Sequence, residues 1–323
     1  MFARQCSLSN FGETSQALLR NASVMVVGCG GLGCIAALEL ACSGIGSLHL
    51  IDFDVIDRSN LHRQIVYTQD DIGFPKAQVL ARECRKRNPD CVVSYEIKGF
   101  CPPLKSAFDM ILDCTDNASV RLLINRVARE QQIPYIFGSA IGWDGQLFTV
   151  RPDGPCIECI FPQLAEVTDR CSNVGVLSTV PIIIGTLQAT EAIRWITKKS
   201  VTHSRLLLYS AYTETFEYID FDGVPNCTHF CATSASGAEA EISYDQMLSV
   251  FNSSKDVLID LRATDEIMHA ISIHFEAAEA YIDANVADKT TNIYVICEMG
   301  DKSLAVVTRL RNKGYTSAWS VLL

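Results

Sequence analysis

The 323-residue chain has little that would hold a polyanion or a bilayer. Its 27 Lys and Arg stand against 37 Asp and Glu, a net charge of −10, so no basic footprint supports binding to nucleic acid or an anionic membrane. The chain opens MFARQCSLSN without an apolar run of the secretion-signal kind, and Glu39 interrupts its most membrane-like stretch. No membrane span is expected, and a cytoplasmic, reducing compartment is. The pattern G-x-x-x-x-G-K-[ST] is also missing, which excludes a P-loop nucleotide site. Cysteine is plentiful at 14 residues. In a reducing compartment these thiols are core residues, metal ligands or catalysts rather than disulfides.

What is present begins with Val24 to Asp52, VMVVGCGGLGCIAALELACSGIGSLHLID. It reads as a strand, a glycine-rich turn, a helix and a second strand ending in a carboxylate. Gly28, Gly30 and Gly33 have the G-x-G-x-x-G spacing, with Gly31 inside the turn, so backbone N–H groups and a helix N-terminus would face a phosphate. Asp52 follows Gly28 by 24 residues, the place of a ribose-binding acid. A dehydrogenase and an adenylating enzyme both fit this pattern.

The next segment, FDVIDRSNLHRQ, packs Asp54, Asp57, Asn60, Arg63 and Gln64 into a loop too polar for a core strand, ahead of Pro75 and Lys76. Strand and helix then alternate: a helix from Lys76 to Asn88, strands at Val92 to Ile97 and Met110 to Leu112, and a helix from Ala118 to Gln131. Asp116, followed by Asn117, falls at the C-terminal end of a strand, where open α/β sheets bind ligands, although a helix N-cap would also suit Asp116. Strands at Tyr135 to Gly138, Gln146 to Val150, Leu206 to Tyr209 and Glu214 to Ile219 complete the unit. Arg4 and Gln5 are expected in a mobile lead.

Cys156 and Cys159 form a C-x-x-C, and Cys227 and Cys231 form a wider pair enclosing His229, a substitute ligand. Two distant pairs can grip one structural zinc, and spacing alone leaves zinc and unligated thiols both open. Cys171 ends a polar connection. ATSASGAEA, residues 232–240, reads as a linker between units at 1–231 and 241–323. In the second unit Cys297 ends a strand ahead of a helix, where the helix N-terminus would favour a thiolate.

The first unit resembles the ubiquitin-activating-like adenylating family that includes MoeB and ThiF. The resemblance rests on GCGGLG, LIDFDVIDRSNLHRQ, GFPKA, ILDCTDN, PCIEC and CSNVGVLSTVPIIIGTLQATEAI. The tail is similar to a rhodanese through VLIDLR and IYVICEMGDKS, although it is short and lacks the glycine pair expected before Trp319. The resemblance implies a Rossmann-like doubly wound α/β fold followed by a small rhodanese-like α/β domain. It implies ATP and Mg²⁺, with the glycines, Asp52 and Asp54 around the nucleotide, Asn60, Arg63 and Lys76 at its phosphates, and Asp116 with Asn117 at the metal. Arg4 resembles a residue that reaches into a partner's site in a homodimer. Cys171 resembles a cysteine that relays the acyl group or resolves the disulfide, and Cys297 a persulfide carrier; Cys156, Cys159, Cys227 and Cys231 would hold zinc.

The implied activity is adenylation of the C-terminal glycine of a ubiquitin-like sulfur carrier, then sulfur transfer from thiosulfate or a cysteine desulfurase to give a thiocarboxylate. Such carriers serve molybdenum cofactor biosynthesis and tRNA thiolation. Adenylation alone with an inert tail, or a non-catalytic scaffold for a ubiquitin-like partner, are the alternatives.

Overall fold

The computed structural model describes all residues except 103, 105, 163, 165–174, 199–203, 222–226, 228–240, 263–266, 268, 275, 276, 298–300 and 323. The chain forms two compact units, Met1–Cys227 and Thr228–Leu323. In the first, two helices, α1 (Ala3–Cys6) and α2 (Gly12–Asn21), precede β1 (Ser23–Val27). Arg4 and Gln5 therefore lie in a helical turn rather than a mobile lead. The turn is fastened by the Gln5 amide, which donates to Gln16 Oε1 at 3.0 Å and to the Ser43 carbonyl at 3.1 Å.

Eight strands build the sheet in the order β3-β2-β1-β4-β5-β6-β7-β8. The first five, β1, β2 (Ser47–Ile51), β3 (Val92–Glu96), β4 (Met110–Asp113) and β5 (Tyr135–Ile141), run parallel. β6 (Asp144–Val150), β7 (Arg205–Ser210) and β8 (Thr215–Asp220) continue it antiparallel. The strand order reverses at β1, so the crevice beyond the ends of β1 and β4 is where such a sheet takes a ligand.

Helices α3 (Gly33–Ser43) and α4 (Lys76–Arg87) follow β1 and β2. α3 is almost wholly apolar with Ala36, Ala37 and Ala41 fully buried, and these small side chains let it lie close to the sheet and to α7 (Thr179–Ile196). α5 (Ala118–Glu130) covers the opposite face, burying Val120, Ile124 and Val127 against Ile111, Tyr135 and Phe148. A short helix, α6 (Ile157–Ile160), carries the C-x-x-C segment.

As the sequence reading has it, β3 is followed directly by β4, and among the described residues no helix connects them. A cavity of about 370 Å³, lined by His49, Glu96, Lys98 and Phe108 among others, occupies the face such a crossover helix would cover.

The second unit is a five-stranded parallel sheet, β11-β10-β12-β13-β9. In chain order its elements are β9 (Glu241–Ser243), α8 (Tyr244–Val250), β10 (Val257–Asp260), β11 (Ile271–Ser272), α9 (Ala278–Asn285), β12 (Ile293–Ile296), α10 (Asp301–Asn312) and β13 (Ala318–Leu322). Ile259, Ile293, Val295, Val306 and Leu310 give it a core of its own. Among the described residues, no helix is long and apolar enough to cross a membrane.

Candidate active site

The glycine turn is built by close approaches that exclude larger residues. Gly28 has φ +89°, a left-handed conformation, and a Cβ there would lie 2.8 Å from the Cys114 carbonyl oxygen at the end of β4. A Cβ on Gly33 would fall 1.8 Å from the Gly28 carbonyl oxygen. These contacts press the start of α3 onto the turn and bring the ends of β1 and β4 together.

Asp52 locks the turn from β2. Its Oδ2 accepts the Cys29 N–H at 2.6 Å and its Oδ1 the Asp54 N–H at 2.7 Å. Burial raises the Asp52 carboxyl above its usual range; the two N–H donors and the Lys76 ammonium pull it back only partly. A raised carboxyl contributes stability below its unfolded value, about 3.9, and loses it as pH rises through the folded value. The anion at neutral pH thus costs folding free energy, and leaves a strong acceptor where a ribose hydroxyl would donate.

Lys76 opens α4 and is buried, its Nζ 2.7 Å from Asp54 Oδ2. The Tyr67 hydroxyl donates to the Cys29 carbonyl at 2.7 Å, with the Lys76 carbonyl at 3.4 Å, and so ties the turn to the base of α4. Asn60 ends a short 3₁₀ turn whose N-cap is Asp57; its Oδ1 accepts the Asp57 N–H at 3.3 Å. Arg63 lies one turn on, its Cγ 3.7 Å from the Cβ position of Gly31.

Beyond β4 the helix cap is Asn117, whose Oδ1 accepts the Val120 N–H at 2.9 Å. Asp116 is therefore not the cap, and its carboxylate stays exposed at the crevice. Asp113, fully buried, accepts from Arg121 Nε at 3.1 Å and from the Thr115 hydroxyl at 2.7 Å, and Arg121 stacks 4.4 Å from the Phe137 ring centre. Gln188 of α7 donates to the Asp113 and Ile136 carbonyls at 2.8 and 3.1 Å.

The contacts thus join the glycines, Asp52, Asp54 and Lys76 and set Arg63 against the turn, and Asp116 follows Cys114 and Thr115, whose backbone lies against Gly28. Tyr67, Asp113, Arg121 and Gln188 escaped the sequence reading. Arg4 is exposed on α1, and no described contact brings it to the turn.

Three cysteines form a second cluster. The sulfurs of Cys156, Cys159 and Cys227 all lie within 4.8 Å of one another. Cys156 and Cys159 are 3.8 Å apart, close to the roughly 3.8 Å edge of a tetrahedron with Zn–S bonds of about 2.3 Å. Burial, then hydrogen bonding with Cys227, pushes the Cys156 thiol up to about 12. The donor set fits a structural zinc. Cys231, His229 and Cys171 lie outside the described residues. No disulfide joins the described cysteines; burial raises Cys29, Cys34, Cys84 and Cys114 far above the range of a reactive thiol.

In the second unit Cys297 follows β12 and is buried. The Ser303 N–H donates to its sulfur at 3.3 Å from the first turn of α10, and the Ser303 hydroxyl lies at the same distance. On the adjoining strand Asp260 and Arg262 are paired through both guanidinium faces, Nη2 to Oδ2 at 2.8 Å and Nε to Oδ1 at 3.0 Å.

A doubly wound sheet with a glycine turn, a buried ribose-type acid and an exposed carboxylate at the switch point defines a nucleotide-binding α/β protein. Residues 2–229 match the ThiF family, and the chain belongs to that family. It is 32% identical to the adenylyltransferase and sulfurtransferase MOCS3 of Drosophila sechellia, over 97% of this chain and 78% of the relative. The SAMP-activating enzyme E1 of Haloferax volcanii is 35% identical, over 77% of this chain and 94% of that one. Among solved structures, Escherichia coli MccB with MccA-N7isoASN superposes with a TM-score of 0.61 at 24% identity, over 71% of this chain and 74% of that one, a likeness of fold.

Proposed function

We propose that the chain couples the C-terminal glycine carboxylate of a ubiquitin-like sulfur carrier to AMP and then converts it to a thiocarboxylate. It is an adenylyltransferase with sulfurtransferase activity, the pairing named in its MOCS3 relatives, while the SAMP-activating relative is named for its own carrier. The observation that carries the site assignment is the crevice at β1 and β4, where the Asp52-locked turn, Lys76 and the exposed Asp116 converge.

In the first stage the carrier carboxylate attacks the α-phosphorus of ATP and pyrophosphate leaves. Asp52 holds the ribose. Lys76, steadied by Asp54, and Arg63 offset charge on the phosphates, while Asn60 completes the loop beside them. Asp116, beside Asn117, would hold Mg²⁺, which neutralises the departing pyrophosphate. Arg4 would serve the site of a partner copy in a homodimer, and zinc on Cys156, Cys159, Cys227 and Cys231 would brace the end of the first unit.

In the second stage the terminal sulfur of a Cys297 persulfide, loaded from thiosulfate or a cysteine desulfurase, attacks the acyl-adenylate and displaces AMP. A thiolate, the role assigned to Cys171, then attacks the Cys297 sulfur, releasing the thiocarboxylate and leaving a disulfide for an external thiol to reduce. Molybdenum cofactor biosynthesis and tRNA thiolation are the uses of such a product, and the cytoplasm is its setting.

Carrier-dependent ATP–pyrophosphate exchange tests the first stage. Asp116→Ala should abolish exchange while leaving the thermal midpoint nearly unchanged, because the carboxylate is exposed. Wild-type exchange in this variant would sink the assignment.

A further inference from the structure

Gln64 belongs to the polar loop after β2, and the chemistry described above gives it no part. Its backbone is engaged on both sides: the N–H donates to the Asn60 carbonyl and the carbonyl accepts from the Tyr67 N–H, each at 3.0 Å. Its side chain is not. The residue is 2% exposed, and its amide Oε1 is enclosed without a hydrogen-bond partner, the only buried side-chain polar atom so placed among the described residues. Among those residues no bond engages the amide nitrogen either. A buried polar atom left unpaired costs folding free energy, so an apolar side chain of the same length would suit the fold better.

The amide lies at the nucleotide turn. Its Nε2 is 3.7 Å from the position a Cβ would take on Gly30, and apart from the chain neighbours of Gly30 no other heavy atom comes within 4 Å of that position. Gly30 is itself partly exposed, so this is open space at the edge of the crevice. Arg63 stands in the same relation to the next glycine, its Cγ 3.7 Å from the Cβ position of Gly31. Neighbouring side chains of the loop therefore flank neighbouring glycines, one with a cation and one with a neutral amide. Gly30 has neither the left-handed φ of Gly28 nor the tight contact of Gly33, so the fold itself does not demand glycine there. Its missing side chain leaves the amide uncovered, at the point of such a turn where the backbone comes up to the phosphates.

We propose that Gln64 is a phosphate contact of the nucleotide site: its amide NH₂ donates to a phosphate oxygen of the nucleoside triphosphate lying over Gly30. The proposal deepens the reading of the crevice as an ATP site and rests on it. Phosphate oxygens only accept hydrogen bonds, so they take the NH₂ end and leave Oε1 enclosed. The unpaired oxygen is the cost of holding a donor at the turn, present while the crevice is empty and offset by the charge-assisted bond when the anion arrives. Being neutral, the amide adds nothing to the charge of Arg63 and Lys76; it fixes where the oxygen sits.

The test uses the full-length protein without carrier. Gln64→Met keeps the length of the side chain and removes its hydrogen bonds. Thermal midpoints are measured on the empty protein, and ATP and adenosine are titrated in competition with a fluorescent ATP analogue in the presence of Mg²⁺. Empty Gln64→Met should melt about 3 °C higher than wild type, bind ATP roughly tenfold more weakly and bind adenosine within about twofold of wild type. Gly30→Ala, whose methyl fills the space in front of the amide, should weaken ATP similarly. A lower midpoint for empty Gln64→Met makes the amide a structural group and overturns the proposal. So does unchanged ATP affinity, and so do equal losses for ATP and adenosine, which would put the contact on the nucleoside. Should Gln64→Met fail to fold, Gly30→Ala decides: unchanged ATP affinity overturns the proposal, and a tenfold loss with adenosine binding kept supports it. Wild-type protein that binds neither ATP nor adenosine removes the ATP-site reading and the proposal together. Nucleotide binding without carrier-dependent exchange removes the adenylation reading alone.

Discussion

Gly33 and Gly30 share a motif but not a physical reason for being glycine. A methyl on Gly33 would penetrate the Gly28 carbonyl, both of them backbone-bound, so the turn itself must move. At Gly30 the nearest atom to an added Cβ is the Gln64 amide nitrogen at 3.7 Å, an ordinary contact. Gly33→Ala should therefore cost about 3 kcal/mol or more and abolish nucleotide binding, whereas Gly30→Ala should stay within about 0.5 kcal/mol in stability. Urea midpoints and binding of a fluorescent ATP analogue measure both; equal losses in the two variants would contradict this account. The spacing could show the motif because each glycine answers to its chain neighbours. It could not show Tyr67, Arg121 or Gln188, whose partners Cys29, Asp113 and Ile136 lie 38, 8 and 52 residues away and meet them only through the sheet.

Elements with strong periodicity were legible, and those whose character depends on neighbours were not. β1, β4, α4 and α5 follow from apolar runs and from the breaks at Pro75 and Pro89. The two- and three-residue strands β11 and β9 are strands only because a partner strand pairs with them. The cap of α5 was legible in kind but not in position, since Asp116 and Asn117 are both good caps and the backbone chose Asn117. The cysteines were legible further: the two distant pairs led to the expectation that Cys227 joins Cys156 and Cys159, and the chain does bring the three sulfurs together. With that approach in place, about one zinc per chain is expected on elemental analysis. Cys159→Ser and Cys227→Ser should lose the metal and lower the melting temperature, while Cys42→Ser, outside the cluster, should keep both. Metal-free wild-type protein with an unchanged melt after chelator treatment would contradict the assignment.

At the scale of the whole molecule, the chain holds two separately cored units, and the proposed function assigns activation to the first and the sulfur nucleophile to the second. The described contacts of the glycine turn come from residues of the first unit, and the Ser303 N–H and hydroxyl of α10 in the second unit lie against the Cys297 sulfur. Loss of the sulfur nucleophile should leave activation untouched, because the proposed adenylation step uses no atom of Cys297. In full-length Cys297→Ala, carrier-dependent exchange should remain within about twofold of wild type, the change expected when transition-state contacts of that step are kept. The carrier should then stop at the adenylate. Its mass after incubation with ATP and thiosulfate, or with a cysteine desulfurase, reports AMP addition, thiocarboxylate or no change. Adenylate without thiocarboxylate places the sulfur source in the second unit. Thiocarboxylate at the wild-type rate would make the tail a bystander and leave adenylation as the whole activity. A fall in exchange itself would show that Cys297 takes part in activation, contrary to the proposed first stage.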